Sequence, residues 1–259
     1  MKRILFLLLL IGNLSYAQTW QGELLVGVSG YNGDLNKKIV DFHDIHPAFS
    51  LDLRYRLSEL VAIRAGFLSC KISGNDKYNK PADFKNRNLN FQTSITEGSV
   101  CVEYNILSPE DFDVYPYVFA GVGIFHFNPY SFDKNGNKVF LKPLSTEGEG
   151  LSEYPGRKPY GLTQFCIPFG AGVKKRINED LEIGFEMNFR KLFTDYVDDV
   201  SKTYVDYNVL LNERGPLAAQ MAFKQLSGTV PHPNYVRGNS KKSDSYYIAG
   251  IKLIYHIED

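Results

Sequence analysis

Beyond residue 17 this chain has no apolar run long enough to cross a bilayer as a helix, so a helical membrane protein is excluded. Basic residues are in no excess. Lys plus Arg and Asp plus Glu number 29 each, which removes the electrostatic footprint of a nucleic-acid binder. Cysteine is scarce: Cys70, Cys101 and Cys166 lie far apart without metal-ligand spacing, and an odd count leaves at least one thiol unpaired. The histidines are His43, His46, His126, His232 and His256, and no Cys or close acid completes a metal set around them. No Gly-x-Ser-x-Gly elbow occurs. The Gly-rich stretch 147–160 lacks the Gly-Lys-Ser/Thr ending of a phosphate loop. No cofactor, metal site or catalytic set is therefore expected. His126 with Ser131 is the nearest approach to a catalytic pair.

What is present begins with a leader. Lys2 and Arg3 precede an unbroken apolar run, 4–11, and Ser15-Tyr-Ala17 supplies small residues at the two positions that set cleavage. Residues 1–17 read as a secretory signal peptide and 18–259 as one domain. No Cys follows Ala17, which argues against a lipid-anchored lipoprotein. Loss of Lys2 and Arg3 leaves the mature chain with a net charge near −2.

The remainder is organised by its connections. Segments of alternating residues are joined by short links at 58–59, 108–113 and 178–180, and by long polar ones at 32–44, 73–90, 128–163 and 194–243. Short turns at one end and long loops at the other are the pattern of an antiparallel up-and-down transmembrane β-barrel, here all-β and eight-stranded. A sheet that spans lipid must close, because lipid cannot satisfy open backbone groups.

Two segments show the two faces clearly. Phe49, Leu51, Leu53, Tyr55 and Leu57 alternate with Ala48, Ser50, Asp52, Arg54 and Arg56. Leu181, Ile183, Phe185, Met187 and Phe189 alternate with Glu182, Gly184, Glu186, Asn188 and Arg190. The fifth segment, 114–127, is apolar on both faces and its facing is ambiguous. A soluble lipocalin-like barrel would turn the apolar face inward around a cavity. The aromatics decide for the membrane version. Trp20, Tyr55, Tyr104, Tyr115, Tyr117 and Tyr255 fall at strand ends near the short turns, and Phe49, Phe67, Phe125, Phe165 and Tyr247 near the long loops. These are the two girdles of a bilayer interface.

The polar face then lines the lumen. Asp52, Arg54, Arg56, Arg64, Glu103, Lys174, Glu182, Glu186, Arg190 and Lys252 are expected to share it. Eight strands leave room only for side chains, so these charges must pair into a plug, or line a narrow ion path. In the last long loop, Asp195, Asp198, Asp199 and Asp206 read as solvated loop acids or as oxygen ligands for calcium, in a spacing that matches no EF-hand. The stretch 217–226 predicts a short helix ended by Gly228.

Tyr31-Asn-Gly-Asp-Leu35, Tyr117-Val-Phe-Ala-Gly-Val-Gly123, Tyr154-Pro-Gly-Arg-Lys-Pro-Tyr160, Phe193-Thr-Asp-Tyr-Val-Asp-Asp-Val200 and the closing strand resemble the PorG-like outer-membrane proteins of Bacteroidetes. The resemblance runs along nearly the whole mature chain. It implies a place in the type IX secretion system, as a non-enzymatic outer-membrane barrel that associates with a periplasmic ring of PorK- and PorN-like proteins. Both termini and the short turns would then face the periplasm and the long loops the exterior. Ring contacts are expected at the acidic turns, through Glu59, Glu110, Asp111, Asp113, Glu179 and Asp180. Partners would be outer-membrane lipid and the ring, with no nucleic acid. A stand-alone structural or surface-binding barrel is the alternative, and a lipid-modifying outer-membrane enzyme a third.

Overall fold

Alternation of the kind seen at 48–57 can bury one face only in a sheet, and a sheet with eight such segments can satisfy both edges by closing. The computed structural model describes residues 20–36 and 42–257, so the leader lies outside the described residues. The strands are β1 (Trp20–Asn32), β2 (His46–Arg56), β3 (Val61–Asn75), β4 (Asn90–Asn105), β5 (Val114–His126), β6 (Tyr130–Phe132), β7 (Lys138–Phe140), β8 (Thr163–Arg176), β9 (Leu181–Leu192) and β10 (Ser245–Ile257). Eight of them pair antiparallel in the order β1-β2-β3-β4-β5-β8-β9-β10, and β10 returns to β1. The short β6–β7 hairpin extends the loop end of β4 through Tyr130.

The closing seam runs in unbroken register from Trp20↔Ile257 to Asn32↔Ser245. Gly27 faces Gly250 at its middle. A Cβ on Gly27 would lie 2.2 Å from the Ala249 carbonyl oxygen, so only glycine lets these backbones approach so closely.

Exposure settles which face is outside. Leu51 is 66 % and Phe165 69 % exposed, while Glu103 and Lys174 are at 0 %. A wall that is apolar outward and charged inward is stable only where its outside meets hydrocarbon. Trp20, Tyr104 and Tyr255 are exposed at the turn end, and Trp20 packs against Tyr55 in a tilted contact with ring centroids 4.6 Å apart. Phe49, Phe67 and Phe165 mark the loop end.

The ambiguous fifth segment is resolved, and three aromatics move with it. Val114, Val118, Val122 and Ile124 point out, whereas Tyr115, Tyr117 and Phe125 point in and are buried. They belong to the lumen, not to the girdles. The hydroxyls of Tyr115 and Tyr117 donate to Glu182 and Glu186 there, and Phe125 stacks on Phe127. Tyr247 keeps its outward parity but is buried, folded over Gly30 and against Phe189.

β3 and β4 are also longer than the alternation of the third and fourth segments suggests. β4 has 16 residues, more than the roughly 9–11 a bilayer requires, so its loop end rises above the lipid. There the loops fold into a packed cap. Helix α1 (Ala82–Arg87) lies in the loop after β3, and helix α2 (Tyr207–Ala222) in the loop after β9. α2 starts ten residues earlier than the helix expected at 217–226. Asp206 caps it, accepting from the backbone N–H groups of Asn208 and Val209, and it breaks at Gly215 (φ +84°) before Pro216. Leu151, Val205, Leu210, Ala218 and Ala222 form one small core under this helix.

Candidate functional site

Two regions carry charge chemistry, the lumen and the cap. In the lumen the side chains form layers. At the turn end, Glu182 accepts from Tyr115 and lies 3.0 Å from His256 Nε2, and Gln21 lies 2.9 Å from the same nitrogen. In the middle, Arg54 Nε is 2.9 Å from Glu103, Lys174 donates to the same carboxylate, and Arg64 and Lys252 each reach Glu186 at 2.7 Å. Lys252 also pairs with Glu23 at 3.0 Å. The ring of Tyr117 lies beneath Lys174, and that of Phe119 beneath Arg64 at 4.3 Å. Nearer the loops, Arg190 grips Glu97 through two hydrogen bonds, and Tyr246 donates to Glu97 as well.

Arg54–Glu103, Lys174–Glu103, Arg64–Glu186 and Arg190–Glu97 join strands that are not neighbours in the wall, whereas Lys252 and His256 tie β10 to its neighbours β1 and β9. The void left among Asp52, Arg64, Glu186, Asn188 and Arg190 is about 10 Å³, room for one water molecule at most. The lumen is a filled plug at this level.

Most of the residues expected in the lumen are brought together here. Asp52 stands at the wall, where it accepts from Ser50 and lies outside the direct ion pairs described above. Arg56 is half-buried at the turn-end mouth. Sequence reading omitted Glu23, Glu97, Gln21, His256 and the tyrosines from the network. Glu97 shares the parity of Cys101 and Glu103, so extending that alternation backwards would have found it.

The acidic turn residues are solvent-facing. Glu59, Glu110, Asp111, Asp113 and Glu179 are exposed and Asp180 is half-buried, all at one end of the barrel. The turns are tied together: Ser108 donates to Glu59 at 3.2 Å, and Arg176 donates to the Pro109 carbonyl. Lys175 and Arg176 share this end, so it is mixed in sign.

The cap reverses the expectation of solvated loop acids. Asp198 and Asp199 are buried, and the four aspartates separate into different settings. Asp198 and Asp244 both accept from the Tyr31 hydroxyl, at 2.5 and 3.1 Å. Asp199 accepts from Thr146 and Tyr160, and Asp206 is the helix cap. Among the described residues no three metal-ligating side chains converge on one point. Burial, with Asp244 nearby, pushes the Asp195 carboxyl up to about 9. Burial raises Asp244 to about 8, with Asp34 adding to it, and raises Glu149 to about 8, with Asp199 and Glu147 adding to it. Asp199 rises only to about 6, because Arg237 offsets its burial.

Arg237 and Arg87 pin the cap. Arg237 bonds Glu147 at 3.0 Å and the Asp199 carbonyl at 2.6 Å. Arg87 forks onto Asp76 and donates to the carbonyls of Asp34 and Arg237, joining three loops. His126 and Ser131 do not meet. His126 pairs with Thr163 at 3.0 Å on the outer face, and Ser131 donates to Asn90. His46 instead lies 2.7 Å from Ser73, which donates to Asp44.

A closed eight-stranded antiparallel barrel, apolar outside, plugged by ion pairs and capped at one end, defines a membrane-spanning β-barrel protein. The chain belongs to the family described as "Domain of unknown function (DUF6089)", whose model matches residues 2–142, more than half of it. Among curated proteins none matches it. Solved structures similar to it include Neisserial surface protein A, at 8 % identity over 91 % of this chain and 96 % of that one, with a TM-score of 0.45. Ail, the attachment invasion locus protein of Yersinia pestis, is 10 % identical over 93 % and 99 % of the two chains, with a TM-score of 0.44. A major outer membrane protein of Thermus thermophilus is 11 % identical over 93 % and 100 %, with a TM-score of 0.43.

Proposed function

We propose that this protein is a secreted, non-enzymatic barrel of the outer membrane that serves type IX secretion by holding the periplasmic ring of PorK- and PorN-like proteins. The observation that carries the reading is the asymmetry of the two ends. One end is a flat set of short turns bearing Glu59, Glu110, Asp111, Asp113, Glu179 and Asp180, and the other is a folded cap. The resemblance of the 31–35, 117–123, 154–160 and 193–200 segments to PorG-like proteins supplies the partner. A plugged lumen suits an anchor and not a translocation pore. In this reading residues 1–17 are a signal peptide, and the termini and short turns lie in the periplasm.

Affinity purification from a mild detergent extract tests it. PorK- and PorN-like proteins should co-purify and be lost when Glu110, Asp111 and Glu179 are replaced by Lys. Recovery of the barrel free of both, from cells with intact type IX secretion, would overturn the reading. The second reading, a stand-alone surface-binding barrel, is favoured by the order of the cap. Under it, deletion leaves secretion intact and changes adhesion or envelope integrity.

A further inference from the structure

The cap encloses a cavity that the secretion role leaves unused. It lies between α1 and two strips of the last loop, 202–204 and 225–239, and measures about 290 Å³, at the small end of ligand sites. The strips are held to each other by the Tyr204 N–H to the Tyr235 carbonyl at 2.9 Å and the Arg237 N–H to the Lys202 carbonyl at 2.9 Å. They are held to α1 by backbone hydrogen bonds from Leu226 and Ser227 to Asn86, so the walls belong to a fixed framework. Gly238 lets the strip close on its neighbour: a Cβ there would lie 2.6 Å from the Ser201 nitrogen and 2.7 Å from Asp34 Oδ2.

The lining combines one exposed ring face with uncommitted polar atoms. Tyr235, 60 % exposed, offers a ring, and half-buried Phe84, with the Arg87 guanidinium 4.8 Å from its ring centroid, forms part of the wall. Gln225 spends its amide nitrogen on the Tyr204 hydroxyl and keeps its carbonyl oxygen for the cavity. Asn86 uses its side-chain oxygen on the Ser227 N–H and keeps its amide N–H groups. Asp83 is an exposed acceptor at the mouth. At the bottom, buried Arg237 closes the cavity. Donors and acceptors side by side suit hydroxyl groups, which are both. The two guanidiniums are not available to an anion, since Arg87 is paired with Asp76 at 2.7 Å and Arg237 with Glu147 at 3.0 Å.

From this we infer that the cavity is a carbohydrate site. It takes one neutral sugar residue, whose C–H face lies on Tyr235 and whose hydroxyls meet Asp83, Asn86 and Gln225. The inference goes beyond the secretion role and stands without it.

The full chain, in lipid nanodiscs or a sugar-free detergent, is titrated separately with glucose, galactose, mannose, N-acetylglucosamine and inorganic phosphate. Binding is read by calorimetry and saturation-transfer NMR, up to about 50 mM, well past the roughly millimolar range of a weak site. At least one neutral sugar should bind saturably. Tyr235→Ala should weaken that binding about tenfold or more, the loss of one aromatic anchor. Asp83→Ala, an exposed position, should weaken it without altering the heat-modifiable mobility of the folded barrel. Three results would each overturn the inference: no saturable binding of any of the four sugars, sugar binding unmoved by both substitutions, or phosphate binding that Tyr235→Ala abolishes.

Discussion

Arg190 of β9 and Glu97 of β4 face each other across the barrel interior and join through two hydrogen bonds of 3.0 and 3.1 Å. Neither strand is the other's neighbour in the wall, so the pair acts as a strut. Removing one member leaves a buried charge without its partner. Glu97→Ala is expected to destabilise the barrel by about 3–5 kcal/mol. Exchange of both for apolar groups, Glu97→Leu with Arg190→Met, should recover most of it. Urea unfolding into and out of lipid vesicles measures both variants.

The membrane face makes a second expectation. Leu51 is at mid-height on the outer wall, two residues from Phe49 and four from Tyr55. Leu51→Arg should cost about 2–4 kcal/mol in the same assay, as a cation at the bilayer midplane. The change to Arg at exposed Leu226, in the cap, should be nearly neutral. Equal effects would remove the bilayer from that wall.

The plug predicts silence in electrical recording. With a void of about 10 Å³ among Asp52, Arg64 and Glu186, the purified barrel should show no steady conductance in planar bilayers. Lys174→Ala with Glu103→Ala opens space where two buried charges now meet. Conductance should appear in that variant before it appears in the parent.

The cap gives a pH dependence. Asp195 and Asp244 are raised to about 9 and about 8, and Glu149 to about 8, each by burial among like charges. A carboxyl whose folded value lies above its unfolded value, near 4, binds its proton more tightly in the folded cap. The stabilisation is complete below about pH 4 and fades as pH rises through about 8 to 9. Amide exchange in loops 193–244, corrected for intrinsic rates, should therefore speed up between about pH 6 and 9 by more than in the β-strands. Asp195→Asn should flatten that rise, since the amide has no proton to lose over this range.

The barrel was legible because a strand writes its two faces as alternation, and turns and loops differ in length. At 48–57 and 181–190 both faces are pure, and facing followed at once. At 114–126 the code failed for a physical reason. Tyr115, Tyr117 and Phe119 are apolar enough for lipid, yet serve inside as hydroxyl donors and as rings beneath cations. The cap was illegible for another reason. Asp198 and Asp199 look like loop acids, and only distant partners, Tyr31 and Tyr160, reveal that they are buried. Arg87 and Arg237, 150 residues apart, gave no local sign that one would clasp the other's backbone.

The seam between β1 and β10 matches thirteen residues near the start of the chain with thirteen near residue 257. The cylinder therefore cannot shut while the ribosome still holds the last strand, and a shortened product presents raw edges to whatever it meets. Insertion must be a single late event, and any polypeptide cut before Ser245 should be found aggregated or degraded, never half-built in a bilayer.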